Sequence, residues 1–222
     1  MFIEKLPSNI SPDFVLIGSG PASITLALKL SKRFKVLILE AGDYDYNEEQ
    51  NDFFSGKVVG DPYFKLEQAR IRALGGASQH WGGACRPMDK IDFKNWLIDK
   101  GELDPYLQEA SKILNVKFKK ENDLDIKDFQ SINILHSDVN FRYKYFDFLK
   151  DHKNIFVCLN TPLMSIEGDN QIDFLKVINN NKIQKIIPKN TVLCAGGIEN
   201  SRILLWSREQ SKKNFLKNLP IG

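Results

Sequence analysis

The residues best suited to chemistry are three glycine corners, one acid and one histidine. Gly18-Ser19-Gly20-Pro21-Ala22-Ser23 is a G-x-G-x-x-S run. In a strand-to-helix turn its first glycine permits the tight corner. Its second lets a pyrophosphate approach backbone N–H groups at the positive end of the helix. Glu40, followed by Ala41-Gly42, lies 22 residues after Gly18, near the ~20-residue spacing of an acid that accepts ribose hydroxyl bonds. Ser23 stands where glycine or alanine usually allows close helix–strand packing, and its small size predicts only a slight adjustment. The second corner runs from Arg72 through Gly75, Gly76, Ser78, His80 and Trp81 to Gly82 and Gly83. Four glycines in so short a stretch bring backbone amides close to something flat or anionic. Ala195-Gly196-Gly197 is the third corner.

The elements that must position these residues can be read from apolar runs. Phe14-Val15-Leu16-Ile17 and Val36-Leu37-Ile38-Leu39 have the unbroken hydrophobicity of parallel strands buried on both faces. Between them Pro21 suits a first helical turn, and Ile24, Ala27 and Leu28 recur at the spacing that docks a helix on a sheet. Strand, glycine turn, helix, strand and acid therefore occur in the order of a dinucleotide-binding βαβ unit. That unit alone does not separate FAD from NAD. Thr191 to Cys194 reads as a further buried strand running into a second glycine-gated helix with Ile198, Arg202 and Leu205 along it. Two such helix starts in one chain suit a long cofactor with two ends, and favour FAD.

Composition excludes several other classes. The 222 residues carry 31 basic against 28 acidic side chains, a net charge of +3, with 42% hydrophobic and 27% charged content. Those values are near the globular average, and the scattered charge gives no basic face for nucleic acid. The longest apolar runs fall far short of the ~20 residues that span a bilayer. Cys85, Cys158 and Cys194 are too few and too widely separated for a disulfide framework or a CxxC metal site. Together with the absence of a secretory signal, they make a cytoplasmic location the expectation. No metal site is expected. His136 and His152 lack partners at ligand spacing.

The chain resembles the glucose–methanol–choline (GMC) family of FAD-dependent oxidoreductases. The resemblance rests on Gly18 to Ser23, Glu40-Ala41-Gly42, the Arg72 to Ser78 block and Val192 to Asn200. It implies FAD held by Gly18, Ser19, Gly20, Pro21, Ala22, Glu40, Ala41, Gly42, Arg72, Gly75, Gly76, Ser78, Gly82, Gly83, Ala195 and Gly196. Leu163 lies near the family's backbone clamp on the adenine. Trp81 stands where many members have asparagine, which puts that contact in doubt. Ser78-Gln79-His80-Trp81 is more similar to the pyranose-oxidase branch, in which a histidine at the position of His80 carries a covalent flavin. A histidine that only contacts the flavin, or one that is purely structural, remains open beside that reading.

The expected fold class is α/β: a Rossmann-like FAD-binding domain, a parallel sheet flanked by helices, with an inserted β-meander and an apparent truncation. Residues 1–222 are expected to form the N-terminal part of that domain. Residues 43–70 make an excursion, 88–150 a connecting segment, and 154–187 the meander, with Asn154 to Glu167 as its first strand. Residues 117–128 read as a solvated linker. Leu219-Pro220-Ile221-Gly222 resembles the step at which family members pass into their second half, which supplies the catalytic base. No residue of this chain is therefore expected to be catalytic. The implied activity is oxidation of CH–OH groups of alcohols or sugars by hydride transfer to flavin, with a second polypeptide or a continuation of the sequence supplying the remainder. Two alternatives stand beside it: a truncated non-catalytic FAD-binding remnant, and an NAD(P)H- and FAD-dependent reductase. A second nicotinamide-binding G-x-G-x-x-G would support the reductase, and the sequence holds none.

Overall fold

A computed structural model of the chain describes residues 1–7, 10–118, 132–210 and 216–217. The Leu219–Gly222 step and most of the 117–128 stretch lie outside the described residues. In chain order the strands are β1 (Phe14–Ile17), β2 (Val36–Leu39), β3 (Ala84–Cys85), β4 (Leu135–His136), β5 (Ile155–Cys158), β6 (Leu163–Gly168), β7 (Ile172–Asn179), β8 (Lys182–Ile186) and β9 (Asn190–Leu193). The helices are α1 (Pro21–Leu30), α2 (Glu48–Asn51), α3 (Lys100–Leu103), α4 (Leu107–Leu114), α5 (Phe141–Asp151) and α6 (Gly197–Gln210).

The chain divides into two compact units, one of residues 1–79 with 141–222 and one of residues 80–140. The first is built on a four-stranded sheet in the order β5-β2-β1-β9. All three strand pairs are parallel, with Phe14 opposite both Val36 and Asn190. Parallel strands need crossovers. Here α1 joins β1 to β2, the long 40–140 passage and α5 join β2 to β5, and the three-stranded antiparallel sheet β6-β7-β8 lies between β5 and β9.

Alternation along the strands sorts their side chains to two faces. Val15, Ile17, Leu37 and Leu39 enter one core with Leu163, Ile166, Leu175 and Val177 of the antiparallel sheet and Ile203 of α6. Leu16 and Ile38 point the other way and are fully buried too, as are Ile24 and Ala27 of α1 and Leu149 of α5. Full burial of such a side chain contributes about 1.5–3 kcal/mol, so the central strands anchor the unit. They hold the turns at their C-terminal ends in place.

The stretch expected as one strand over Asn154 to Glu167 is two. Ile155–Cys158 pairs with β2 in the parallel sheet, and Leu163–Gly168 pairs with β7. Asn160, at φ +49°, turns the chain between them, and asparagine tolerates this left-handed conformation. Thr161 fixes the break, with its N–H donating to Glu40 O at 2.8 Å and its hydroxyl to Leu159 O at 2.8 Å.

The unit of residues 80–140 is shorter in regular structure. β3 and β4 pair antiparallel, with Ala84 opposite His136. The short helix α3 starts in a capping box made by Asp99 and Glu102, in which each side chain satisfies the other's backbone N–H. The longer α4 ends at Asn115, φ +54°, a left-handed stop of the usual kind. The Ser137 hydroxyl donates to Leu114 O at 2.5 Å and ties β4 to the end of α4.

Candidate cofactor-binding groove

Three glycine corners meet at the C-terminal ends of the parallel strands, where ligands of open α/β sheets bind. Gly18 has φ +94°, and a Cβ there would lie 2.9 Å from Cys194 O. Only glycine lets β1 turn this close to the end of β9. At Gly76, φ +53°, an added Cβ would lie 3.2 Å from Gly20 Cα. The first corner therefore touches both the second and the third. Gly18, Gly20, Gly76 and Gly196 line one cavity of about 650 Å³, within the ~300–1,000 Å³ range of small-molecule and cofactor pockets.

The floor of this groove is the start of α1. Gly20 is the N-cap, with extended backbone and no side-chain cap bond. Pro21 opens the helix, and the first turn carries no acid. Amides at such an end favour an anion through both unpaired N–H groups and the helix dipole. At the third corner, Asn200 of α6 holds the turn: its Oδ1 accepts from Ala195 N at 3.0 Å, and its own N–H donates to Gly196 O at 2.8 Å.

Glu40 sits at the end of β2 and lines the same cavity. Its Oε2 accepts from Ser19 N (2.9 Å) and Ser19 Oγ (2.5 Å), and its Oε1 from Gly42 N (2.8 Å). A carboxylate offers about four acceptor positions, so one is left for a ligand hydroxyl. Burial pushes the carboxyl above its ordinary value, and the bonds from Ser19 and Gly42 and the nearby charge of Arg72 work against that.

Of the residues expected at a cofactor, Gly18, Ser19, Gly20, Pro21, Ala22, Glu40, Ala41, Arg72, Gly76, Leu163, Ala195 and Gly196 line the cavity. Gly42, Gly75 and Ser78 stand behind that lining. A Cβ on Gly42 would fall 2.0 Å from Arg72 O, so its role is to let the two backbones touch. Ser78 is buried, its hydroxyl donating to Gly75 O (2.7 Å) and accepting from Phe141 N (3.1 Å). His80, Gly82 and Gly83 belong to the other unit. There His80 is exposed. Gly83 makes room for Ser137 O, and Trp81 Nε1 donates to Val139 O at 3.1 Å.

One wall of the cavity was not legible in the sequence. Phe53, Phe54 and Tyr63 of the 43–70 excursion line it, together with Arg70, Glu199 and Arg202. Arg70 donates to Phe54 O (2.8 Å), Leu66 O (3.2 Å) and Glu199 (3.2 Å), which clamps the excursion to α6. Arg202 shares Glu199. The guanidinium groups of Arg72 and Arg202 lie 4.9 and 5.2 Å from the Phe53 ring centre, and that of Arg70 lies 4.3 Å from Phe54. Asn51 closes the base of the excursion: its Nδ2 donates to Glu67 O at 2.6 Å, and its Oδ1 accepts from Arg72 N at 2.9 Å. The only local signal for this wall is the Arg70-Ile71-Arg72 pair ahead of the glycines.

Among the described residues no cluster of histidine, cysteine or carboxylate side chains could hold a metal ion, and no helix is long and apolar enough to cross a membrane. Cys194 is buried in the cavity lining, its thiol pushed up to about 11 by burial. It is not a nucleophile at neutral pH.

No family model matches the chain. It is 30% identical to an uncharacterized protein of Methanocaldococcus jannaschii over 225 aligned positions, covering 93% of this chain and 54% of that protein. A pyranose dehydrogenase of Agaricus xanthodermus is 25% identical over 124 residues, 45% of this chain and 20% of the enzyme. Among solved structures, an FAD-dependent oxidoreductase from Chaetomium thermophilum superimposes with a TM-score of 0.61 at 17% identity, over 87% of this chain and 47% of that one. The architecture is thus the mixed α/β fold of FAD-binding oxidoreductase structures. The chain spans about half the length of the M. jannaschii protein and of the C. thermophilum structure.

Proposed function

We propose that this chain is the N-terminal, FAD-binding part of a GMC-type oxidoreductase that oxidises CH–OH groups of alcohols or sugars. The observation that carries the reading is the convergence of Gly18, Gly76, Gly196 and Glu40 on one groove of about 650 Å³. The groove suits the cofactor by its own chemistry: an uncapped helix start for the pyrophosphate, an acceptor left on Glu40 for the ribose, and glycines where a Cβ would obstruct close approach. The likeness to a pyranose dehydrogenase supports the substrate class.

On this reading the N–H groups at the start of α1 hold the pyrophosphate, Glu40 orients the adenosine ribose, and Leu163 with Ala195 bounds the adenine end. Flavin, when bound, accepts the hydride. The backbone of Gly76 bounds one side of the groove. Among the described residues none is assigned to take the alcohol proton, and on this reading a second polypeptide or further sequence supplies that base. The exposed His80, in its Ser-x-His-Trp setting, is the candidate for a covalent flavin link.

The test is the visible spectrum of the purified chain supplied with FAD. Flavin bands near one per chain are expected. Their absence after incubation with excess FAD would sink the cofactor assignment. Acid precipitation then separates the two states of His80: colour in the pellet marks a covalent link, lost in His80→Ala, and colour wholly in the supernatant excludes it.

A further inference from the structure

Behind the lining of the groove, a continuous set of hydrogen bonds joins the acid at the end of β2 to the second glycine corner. Ser19 is its centre and is 1% exposed. The hydroxyl has one hydrogen, donated to Glu40 Oε2 at 2.5 Å, and its lone pair accepts from Gly75 N at 3.2 Å. Gly75 N also reaches Ser19 O at 3.1 Å. On the far side of the corner, Gly75 O accepts from Ser78 Oγ, which in turn caps Phe141 N at the start of α5. Gly75 has φ +90°, and a Cβ there would meet Arg142 N and Cβ at 2.9 Å. The corner is therefore confined by Arg142 on one side and by the hydroxyl and carbonyl oxygens of Ser19 on the other.

We propose that Ser19 is a positioning residue that couples the two ends of the groove: a ribose-bearing ligand held by Glu40 orders the Gly75–Gly76 corner through the Ser19 hydroxyl. The physical basis is the direction of one O–H bond. A ligand hydroxyl on Glu40 fixes the carboxylate as an acceptor. The Ser19 hydrogen is then held on Oε2, where it already lies, and its lone pair is kept facing Gly75 N. Filling the adenosine end thus prepares the backbone against which the rest of a dinucleotide lies, and by linkage the coupling acts equally in the other direction. The inference rests on the dinucleotide reading of the groove.

The test uses ADP as the probe, at saturating concentration on the full chain, with amide hydrogen exchange as readout. In the wild type, ADP slows exchange of the amides from Gly75 to Gln79 by about tenfold, the scale of one hydrogen bond. In Ser19→Ala, ADP still protects the start of α1, but the slowing at Gly75 to Gln79 falls to about twofold or less. Ser19→Gly removes the hydroxyl without adding side-chain volume and shows the same loss should the alanine variant fold poorly. Equal ADP-induced protection of the corner in wild type and both variants overturns the coupling. So does complete loss of ADP binding in a natively folded variant, because Ser19 would then be a direct ligand group. If the wild type itself binds no ADP, the dinucleotide reading fails and this inference falls with it.

Discussion

Gly18 and Gly196 form a matched pair for testing whether the corners are held by contact or only by conformation. Their φ values are +94° and +87°, so alanine at either position incurs similar backbone strain, about 1–2 kcal/mol. Their surroundings differ. At Gly18 the new methyl would meet Cys194 O at 2.9 Å, Cys194 C at 3.1 Å and Ala195 Cα at 3.2 Å, all of them backbone. At Gly196 nothing lies within 4 Å. Backbone atoms of a buried strand end cannot rotate away, and overpacking of this kind costs a further ~1–3 kcal/mol. Gly18→Ala should therefore lose about 2–5 kcal/mol and Gly196→Ala about 1–2 kcal/mol. The suitable assay is hydrogen exchange at the β1 and β2 amides, which reports opening of the parallel sheet whatever the 80–140 unit does. Equal losses in the two variants, or a loss below ~1 kcal/mol for Gly18→Ala, would refute the crowding argument.

Three other outcomes follow from the site. A carboxyl whose folded-state pKa is raised binds more protons folded than unfolded, so its contribution to stability is greatest at low pH and falls as pH rises through that pKa. Glu40 is such a group. The difference between wild type and Glu40→Gln should thus shift in favour of the glutamine variant from about pH 4.5 upward, read as unfolding midpoints without ligand. Glu199→Ala leaves Arg70 and Arg202 without their shared carboxylate and beside Arg72. A loss of ~2–4 kcal/mol is expected, with faster proteolysis between residues 52 and 70. Asn51→Ala removes the acceptor of Arg72 N and two bonds to the excursion's base. It should cost ~2–3 kcal/mol and release the same segment to protease, and resistance equal to wild type would contradict the clasp.

What could be read from the sequence was what local patterning encodes. β1, α1, β2 and Glu40 are adjacent along the chain, and their apolar runs, glycines and acid come in the order of a dinucleotide-binding βαβ unit. β5 was legible only as part of a single Asn154–Glu167 strand of the meander, not as a separate member of the parallel sheet. Its assignment depends on pairing with Val36–Leu39, more than a hundred residues earlier, and on a left-handed turn at Asn160. The aromatic and arginine wall was hidden for the same reason. Phe53 and Phe54 look like ordinary apolar residues of a polar loop until Asn51 and the Arg70–Glu199 contact fold that loop onto the groove. Gly83, expected from the same glycine run to approach a cofactor, makes room for Ser137 O inside the 80–140 unit, a contact that the local pattern does not announce.

Whether this groove receives an adenine–flavin dinucleotide is tested most directly by titrating the full chain with FAD and following quenching of flavin fluorescence. Saturation at one FAD per chain is expected, with ADP displacing the flavin, FMN failing to displace it, and Glu40→Ala weakening it by roughly tenfold or more. Binding that ADP does not contest, or no binding at all, would contradict the assignment of Gly18, Gly76, Gly196 and Glu40 to a single cofactor.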